Sequence, residues 1–283
     1  MSEPKLPITV VIPVRNEAYN IARCLARLGA FEQVVVVDSS STDRTADIAR
    51  AYGASVINFE WTGRYPKKRN WFLLNHAPAT EWVLFLDADE LIGEDFVAEL
   101  RSAIARGGIA GYWIQYTIYF LGRQLNHGLP QRKLALFRTG QGLFERIEER
   151  RWSNLDMEVH EHPVITGAVS EISARVDHND DRGIRKFVER HTDYAAWEAG
   201  RYNLLQTASA TSAGRALTQR QRAKYRFIRA WWYPAAYFLY TYVVRRGFLD
   251  GWAGLVYAAM KFWYFTLIQA FIADPYRPPE DPA

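Results

Sequence analysis

The most informative run of residues in the chain is Trp82-Val83-Leu84-Phe85-Leu86-Asp87-Ala88-Asp89-Glu90. Its first half is continuously apolar, which is typical of a buried strand in a parallel sheet. Carboxylates follow at the carboxyl end of that strand, where open α/β folds bind their ligands. Asp87 and Asp89 alternate with Ala88, so both carboxylates can face one side and hold Mg²⁺ or Mn²⁺. The same Asp-x-Asp pattern is common in surface turns, so the rest of the chain has to decide between the two interpretations.

Strands and helices alternate around this run. Apolar runs predict strands at residues 8–13, 33–38 and 55–59, and apolar periodicity predicts helices at residues 21–28, 44–52 and 66–75. This alternation predicts an α/β domain with a doubly wound, mostly parallel sheet and helices on both faces. Right-handed crossovers then place Pro13, Asp38 and Asp87 at one edge of the sheet.

The motifs that usually bind phosphate at such an edge are missing. No Gly-x-Gly-x-x-Gly follows the first strand and no Walker-type loop occurs, which disfavours dinucleotide oxidoreductases and P-loop enzymes. A phosphate would instead be bound by the metal and by Lys67, Lys68 and Arg69, near a helix N-terminus whose N–H groups favour anions. The alternative is that these three residues form a solvated basic surface.

The charge of the chain is uneven. Residues 182–283 carry 15 Lys and Arg against 7 Asp and Glu, whereas residues 1–181 carry 20 against 24. A basic segment rich in Trp and Tyr indicates an anionic partner surface. Because its aromatic residues form continuous apolar runs instead of alternating with the cations, the sequence favours anionic lipid over nucleic acid. The single cysteine, Cys24, excludes an internal disulfide and is expected to be buried.

Four motifs, in order, resemble those of family 2 glycosyltransferases, which have the GT-A fold. They are Val11-Ile12-Pro13-Val14-Arg15-Asn16-Glu17, Val37-Asp38-Ser39-Ser40-Ser41-Thr42-Asp43-Arg44-Thr45, Lys68-Arg69-Asn70 and Leu86-Asp87-Ala88-Asp89-Glu90. The resemblance covers residues 6–140. A narrower resemblance, to lipopolysaccharide-core β-glucosyltransferases, is carried by Met157-Glu158-Val159-His160-Glu161 and Gly247-Phe248-Leu249-Asp250-Gly251.

The resemblance implies inverting transfer of a hexose from a nucleotide-diphosphate sugar, typically a UDP-sugar, with Mg²⁺ or Mn²⁺. It implies that Asp38 contacts the base, that Glu17 lies near the nucleoside, that Asp87 contacts the ribose or the metal, and that Asp89 coordinates the metal. The full set of residues implied to bind the nucleotide sugar is Pro13, Arg15, Glu17, Asp38, Lys68, Arg69, Asp87, Ala88 and Asp89.

One-step inversion also requires a carboxylate that deprotonates the acceptor hydroxyl. Many family members carry a Glu-Asp pair after a Gly-Trp, and this chain lacks it. The best substitute is Glu161, with His160 as an orienting neighbour. Glu158, Asp177 and Asp180 are the alternatives.

Further residues are candidates for binding the acceptor or the diphosphate. These are Arg132, Arg138 and Trp152. A purely structural role for Glu161, paired with Arg138 or Arg132, stays open. A zinc site at His160 and His162 is disfavoured, because no third ligand is evident.

The sequence predicts a catalytic domain over residues 1–180, a helical connector over 181–219, a basic, aromatic helical hairpin over 220–274 and a flexible tail over 275–283. A membrane-spanning helix requires roughly 20 apolar residues. The first helix of the hairpin is shorter and the second is interrupted by Lys261 and Gln269. We therefore favour a hairpin that lies in the membrane interface over one that spans it. The other interpretation packs the hairpin on the catalytic domain or on a second subunit, which leaves a homo-oligomer open.

These observations predict a hexosyltransferase at the cytoplasmic face of a bacterial inner membrane, peripheral or monotopic, that acts on a lipid-linked or lipopolysaccharide-type glycan. One alternative is a sugar-phosphate nucleotidyltransferase, but that enzyme requires a glycine-rich loop after the first strand, where Pro13-Val14-Arg15-Asn16-Glu17 stands. The other is a catalytically inactive membrane scaffold. The acidic residues Asp38, Asp87 and Asp89 argue against that alternative.

Overall fold

The computed structural model describes residues 3–147, 155–156, 162–207 and 217–274. These residues form two compact units. The first contains residues 3–119, 130–146, 155–156 and 162–180, and the second contains residues 120–129, 147, 181–207 and 217–274.

The strands are named in chain order. They are β1 (Leu6–Val14), β2 (Phe31–Asp38), β3 (Ser55–Asn58), β4 (Trp82–Phe85), β5 (Glu90–Leu91), β6 (Ile109–Phe120), β7 (Arg123–Leu125), β8 (Gln131–Arg138), β9 (Gly142–Phe144), β10 (Pro163–Ile165) and β11 (Ala168–His178). The helices are α1 (Ile21–Leu25), α2 (Thr45–Ala51), α3 (Lys68–Asn75), α4 (Glu94–Ile104), α5 (Gly183–Thr207), α6 (Gln219–Phe227), α7 (Tyr233–Leu239) and α8 (Gly251–Ala273).

The main sheet of the first unit has the order β3-β2-β1-β4-β8-β6-β11-β5. Strands β3, β2, β1 and β4 are parallel, as are β6 and β11, whereas β8 is antiparallel to both of its neighbours and β5 to β11. Val14 lies opposite Asp38, and the N–H of Leu86 donates to the carbonyl of Val11. The carboxyl ends of β1, β2 and β4 therefore meet at one edge, and the α/β prediction is confirmed.

Helices cover both faces of this sheet. Cys24 from α1 and Phe96 from α4 are buried in one apolar cluster with Trp82, whereas Phe72 from α3 is buried in another with Val83. Adjacent residues of β4 enter opposite clusters because the side chains of a strand alternate between its two faces. Burial of each such side chain stabilises the fold by about 1.5–3 kcal/mol before entropic costs. The apolar run at residues 82–86 is thus a strand covered on both sides.

Strands β9 and β10 form a separate antiparallel pair that packs on α3. Asn70 Nδ2 donates to the carbonyl of Phe144 (2.9 Å), and the N–H of Phe144 donates to Asn70 Oδ1 (2.8 Å). Gly111 of β6 allows Ile165 to approach, because a Cβ at Gly111 would lie 2.6 Å from Cδ1 of Ile165. This pair holds the start of α3 at the edge where β1 and β4 end.

The second unit is helical. Helix α8 packs along α5 and α7, and Tyr202, Tyr225, Ile228 and Phe265 are buried between them. The buried Glu198 carboxylate accepts hydrogen bonds from Lys224 Nζ (2.6 Å) and from the Tyr225 hydroxyl (2.8 Å), which fixes α6 on α5. By length and composition, the segment Gly247–Ala273 is the one helix among the described residues that could cross a membrane.

The connection between α7 and α8 consists of two short helical turns. Helix α7 ends at Leu239 and is followed by a π-helical turn at Tyr240–Val244 and a 3₁₀ turn at Gly247–Asp250. Asp250 stands at the N-cap position of α8, but its side chain makes no capping bond. The Asp250 carboxylate accepts instead from the backbone N–H groups of Asn126 and His127 (3.0 Å each). The carboxylate therefore binds backbone N–H groups of a distant loop and not those at the start of α8.

Candidate active site

The end of β2 presents a carboxylate that is held by its own loop. Asp38 is only 5% exposed, and its Oδ1 accepts from the Ser41 backbone N–H (3.2 Å) and from the Ser41 hydroxyl (2.5 Å). Two fixed donors orient the carboxylate at the edge of the sheet. The structure therefore places Asp38 at the ligand-binding edge that the sequence predicted.

The loop after β1 is tied to the loop after β2. Asn16 adopts a left-handed conformation (φ 56°), its N–H donates to Ser41 Oγ (2.9 Å), and its Oδ1 accepts from the Thr42 N–H (2.8 Å). The N–H of Glu17 donates to Thr45 Oγ1 (2.8 Å), and the Glu17 carboxylate accepts from Asn20 Nδ2 (3.0 Å). These bonds bring Pro13, Arg15 and Glu17 to the same edge as Asp38.

Helix α3 begins with a buried lysine. Lys68 Nζ donates to the carbonyl of Val14 (2.9 Å) and pairs with Asp156 Oδ2 (3.1 Å), although its residue is only 1% exposed. Burial lowers the pKa of Lys68, and the Asp156 carboxylate partly offsets this effect. For Asp156, burial alone would raise the pKa, but the Lys68 cation outweighs it and holds the pKa below the ordinary value. Lys68 thus places a positive charge beside the end of β1.

Asp87 lies between two cations. Its Oδ1 accepts from Arg69 Nη2 (2.8 Å) and its Oδ2 accepts from Lys133 Nζ (2.5 Å). Burial alone would raise the pKa of Asp87, but Lys133 and Arg69 outweigh it and hold the pKa far below the ordinary value. Asp87 is therefore an ionised carboxylate with both oxygens bound by cations.

Glu90 is the buried partner of the same lysine. Its carboxylate accepts from Lys133 Nζ, from the Tyr116 hydroxyl (3.3 Å) and from the N–H of Asp87 (3.1 Å). Burial raises the pKa of Glu90 despite the Lys133 cation. The pKa of Lys133 is raised well above its ordinary value, because Asp87 and Glu90 together outweigh the effect of burial.

Asp89 pairs with a histidine from the neighbouring strand β11. Asp89 Oδ2 lies 3.2 Å from His178 Nε2, and β11 brings His178 there because it lies opposite Glu90 in the β11–β5 pair. Burial lowers the pKa of His178, but the Asp89 carboxylate more than offsets this effect and the pKa is raised overall. A carboxylate and an imidazole converge at this point.

Comparison with known proteins identifies the family. Residues 9–163, more than half of the chain, match the model of glycosyl transferase family 2. The chain belongs to this family. It is 26% identical over 270 residues to the lipopolysaccharide core biosynthesis glycosyltransferase LpsC of Rhizobium meliloti (strain 1021), a match that covers 90% of each chain. It is also 26% identical over 256 residues to an uncharacterized glycosyltransferase of Rickettsia felis, covering 88% of this chain and 83% of the relative.

A solved structure has the same fold. The mannosyltransferase PcManGT from Pyrobaculum calidifontis superposes with a TM-score of 0.51 at 17% identity, over 95% of this chain and 87% of that chain. This likeness confirms the predicted GT-A fold. The match to LpsC supports the narrower resemblance to lipopolysaccharide-core enzymes.

Asp89 and His178 are two described side chains that could hold a divalent metal in this glycosyltransferase. Among the described residues, no three His, Cys, Asp or Glu side chains form a ready metal cage. Their imidazole and carboxylate could supply two ligands, and a hard cation such as Mg²⁺ or Mn²⁺ usually takes its remaining ligands from water and substrate phosphates. The donor set fits that cation. Coordination of the metal by Asp87 stays a prediction.

The other predicted residues are placed as follows. Arg132 lies over the Trp113 ring (4.7 Å), and Arg138 donates to the carbonyl of Ile109 (2.9 Å) beside Trp82, at the opposite end of β4 from Asp87. The structure therefore does not bring Arg138 close to Asp87.

Asp177 precedes His178 on β11, and burial raises the pKa of Asp177. Asp180 lies two residues after His178. The remaining predicted residues, Trp152, Glu158, His160 and Glu161, lie outside the described residues.

Sequence reasoning missed three members of the site, namely Lys133, Asp156 and His178. Each reaches the edge through a long-range contact, and their partners lie 43 or more residues away in sequence. The one available signal is the alternation of polar and apolar residues from Glu171 to Asp177, just before His178. That signal indicates a strand but not which strand pairs with it.

Proposed function

We propose that this glycosyltransferase transfers a hexose, with inversion, from a nucleotide-diphosphate sugar to a lipid-linked or lipopolysaccharide-type glycan, and that the donor is a UDP-sugar. The observation that carries the proposal is the convergence of Asp38, Asp87 and Asp89 at one sheet edge with the cations Lys68 and Arg69. This arrangement offers carboxylates to a nucleoside and positive charge to a diphosphate.

Each residue group has a role in this proposal. Asp38 binds the base and Glu17 lies near the nucleoside, as the family resemblance implies. Lys68 and Arg69 stabilise the charge that develops on the departing nucleotide diphosphate, an effect that is strong where the charges are buried and fixed in advance. Arg69 is held in place by Asp87 (2.8 Å), so it requires little reorganisation during the reaction.

Asp89 and His178 would hold the divalent cation. When bound, Mg²⁺ or Mn²⁺ supplies Lewis-acid stabilisation of the diphosphate. PcManGT was solved with GDP-Man and Mn²⁺, which supports a nucleotide and a metal as ligands of this fold.

The last role to propose is that of the base that deprotonates the acceptor hydroxyl. Glu161 is our first candidate, with His160 beside it, and Glu158, Asp177 and Asp180 are the alternatives. Among the described alternatives, Asp177 is half-buried, and burial raises its pKa. Arg132 and Trp152 are the candidates for binding the acceptor.

The relatives and the second unit support the proposed acceptor and location. LpsC is named for lipopolysaccharide core biosynthesis, which supports an acceptor at a membrane surface. Exposed apolar side chains lie from the end of α7 to the start of α8, among them Val243, Val244, Leu249 and Trp252, beside the exposed Arg245 and Arg246. We call residues 239–252 the apolar corner. Apolar and basic side chains together suit an anionic lipid surface.

We therefore place the protein at the cytoplasmic face of a bacterial inner membrane, bound peripherally or monotopically. Helix α8 packs against α5 and α7, so we favour a helix that lies at the interface over one that crosses the bilayer.

Calorimetric titration tests the proposed activity. UDP, GDP and CDP are titrated with Mn²⁺ or with chelator into wild type, Asp89→Ala and Asp47→Ala. Asp47 is an exposed acid on α2, so its variant controls for loss of one negative charge. We expect metal-dependent binding of UDP that is lost only in Asp89→Ala. Binding of none of the nucleotides would overturn the proposal and favour the inactive scaffold.

A further inference from the structure

We propose that the helical second unit binds a phosphate group, carried by a soluble organic phosphate or by a lipid headgroup, and that Lys261 of α8 is the central cation of this site. Helices of the second unit alone build the site, and none of its residues has a role in the proposed sugar transfer. Roughly 14 Å along α8 separates Lys261 from Trp252 of the apolar corner, so the two features are distinct.

Two polar residues, Lys261 and Gln269, interrupt the apolar sequence of α8. Gln269 has a structural role. Its Nε2 donates to the carbonyls of Ile228 and Ala230 (2.8 Å each), which fixes the chain after α6 on α8. These contacts explain one interruption and leave Lys261 as the polar residue of α8 that needs another explanation.

The contacts of Lys261 supply no negative charge. Its Nζ lies 3.5 Å from Nε2 of His191, and 5.3 Å and 5.6 Å from the centres of the Tyr257 and Tyr264 rings. Nδ1 of His191 lies 2.9 Å from the carbonyl of Phe187, which can only accept, so Nδ1 carries the proton. The Nε2 that faces Lys261 is therefore the acceptor of a neutral ring.

Other cations surround Lys261. Burial lowers the pKa of Lys261; Tyr237 opposes this effect, whereas Arg220 of α6 and Arg190 of α5 lower the pKa further. In the described part of the chain, no carboxylate pairs with Lys261 or acts on its pKa. A cation withdrawn from water without an opposite charge costs free energy. A phosphate would remove that cost and accept charge-assisted hydrogen bonds.

The buried carboxylate of α5, Glu198, does not supply the missing charge. It accepts from Lys224 Nζ (2.6 Å) and from the Tyr225 hydroxyl (2.8 Å). It is also absent from the groups that act on the pKa of Lys261. The negative charge of Glu198 is therefore balanced on α6, and the surroundings of Lys261 remain positive.

Hydroxyl groups accompany the cations. Arg220 donates a hydrogen bond to the Tyr237 hydroxyl, which orients the guanidinium toward α7. Tyr264 is only 7% exposed, and its hydroxyl has no hydrogen-bond partner among the described residues. Lys261 itself is half-buried, so a ligand can reach it from solvent. Cations, hydroxyls and access from solvent together suit a phosphate group.

Calorimetric titration with soluble probes is the first arm of the test. Inorganic phosphate and glucose 1-phosphate are titrated in chelator and without nucleotide, and glucose is the uncharged probe. The variants are Lys261→Met, which removes the charge, and Lys261→Arg, which keeps it. Lys186→Met is the matched control, because Lys186 is a 49% exposed cation of α5 that pairs with Glu189 (3.6 Å). Circular dichroism checks that each variant is folded.

Sedimentation with vesicles is the second arm and uses the same variants. Phosphatidic acid vesicles present a phosphate headgroup, and phosphatidylcholine vesicles present no net charge. This arm separates a lipid headgroup from a soluble organic phosphate.

We expect Lys261→Met to bind glucose 1-phosphate or phosphatidic acid vesicles about tenfold more weakly than wild type, the usual effect of losing a hydrogen bond to a charged group. Lys261→Arg should retain most of the affinity, and Lys186→Met should bind like wild type. A loss with the soluble phosphates assigns the site to an organic phosphate, and a loss confined to vesicles assigns it to a lipid headgroup.

Three outcomes would overturn the proposal. They are wild type that binds none of the phosphate probes, folded Lys261→Met that binds all of them like wild type, and an equal loss in Lys186→Met. Phosphate that binds only to Lys68 and Arg69 would survive in Lys261→Met and give the second of these outcomes. Since the titrations contain neither UDP nor metal, their failure is distinguishable from failure of the proposed activity.

Discussion

His178 Nε2 lies 3.2 Å from Asp89 Oδ2, although 89 residues separate the two in sequence. The contact depends on the pairing of β11 with β5, in which His178 stands opposite Glu90. It brings an imidazole to the carboxylate that the family resemblance assigns to the metal. Substitution of His178 is therefore a direct test of the proposal that this pair holds a divalent cation.

Replacement of this histidine should weaken metal-dependent nucleotide binding. We expect His178→Asn to weaken Mn²⁺-dependent UDP binding by about 100-fold or more, because loss of a residue that merely orients a ligand already costs 10–100-fold. Calorimetry with Mn²⁺ and with chelator measures the effect. His76→Asn, at the exposed end of α3, is the control and should bind UDP like wild type. Equal affinities in the two variants would rule out His178 as a ligand.

The same pair predicts a pH dependence of stability in the metal-free protein. The folded-state pKa of His178 is raised above the ordinary value of 6.5, so its pairing with Asp89 stabilises the fold fully below that value. The stabilisation is lost as the pH rises through the folded-state pKa. The melting temperature of wild type, measured in chelator from about pH 5 to about pH 9, should exceed that of His178→Asn mainly at the acidic end. A difference that grows with pH would contradict this.

Loss of the buried Lys68 should destabilise the first unit. Lys68→Met leaves Asp156, whose side chain is 14% exposed, without its cation, and removal of one partner from a buried pair costs about 3–5 kcal/mol. Urea unfolding followed by circular dichroism measures the change in the free energy of unfolding. Arg50→Met, whose side chain is 61% exposed on α2, should change it by no more than about 0.5 kcal/mol. Similar values for both variants would show that the buried pair contributes little.

The apolar corner should determine membrane binding. Val244 is 66% exposed, so Val244→Asp should fold normally but lose the transfer of one side chain into lipid, worth about 1.5 kcal/mol or roughly tenfold in affinity. Sedimentation with vesicles that contain anionic phosphatidylglycerol measures the affinity for lipid. Val164→Asp, at an exposed site of β10 in the first unit, is the matched control. Equal vesicle binding by both variants would remove the corner from the proposed membrane surface.

Replacement of Gly254, in α8, should destabilise the second unit. A Cβ at Gly254 would lie 2.1 Å from the carbonyl oxygen of Gly247 and 2.9 Å from Cβ of Asp250. Gly254→Ala should therefore lower the free energy of unfolding by about 1–3 kcal/mol, the usual cost of overpacking. Gly107→Ala, with no atom within 4 Å of the added Cβ, is the comparison. If both substitutions have the same small effect in urea unfolding, the turn before α8 can move aside.

The sequence was sufficient for the parts of the site that depend on local pattern. Asp38 and Asp87 directly follow apolar runs, and strands in a parallel sheet end at one edge, so their convergence could be predicted. Lys133 and His178 could not, because their positions depend on the pairing of β8 and β11 with distant strands. The register of β6 also shifts between Tyr112 and Trp113, and a shift of this kind leaves no signal in the sequence.

Asp250 illustrates the same limit in the helical unit. An acidic residue just before a helix predicts an N-cap, and the local pattern around Asp250 satisfies that rule. Its carboxylate binds a loop 123 residues earlier instead. The tertiary contacts of Asp250 override its local preference for capping a helix, and these contacts leave no signal in the neighbouring sequence.

The Asp250 carboxylate, whose side chain is 4% exposed, also lies 2.9 Å from Nδ1 of His127, so two backbone donors and one ring fix it. The carbonyl of Arg245 accepts from the N–H of Gly128 (3.0 Å) and closes the same region. A segment held in this way has little conformational entropy left to lose when its exposed side chains meet another surface. Attachment to lipid would then require no prior ordering, and the helical content of the protein should be the same in solution and on vesicles.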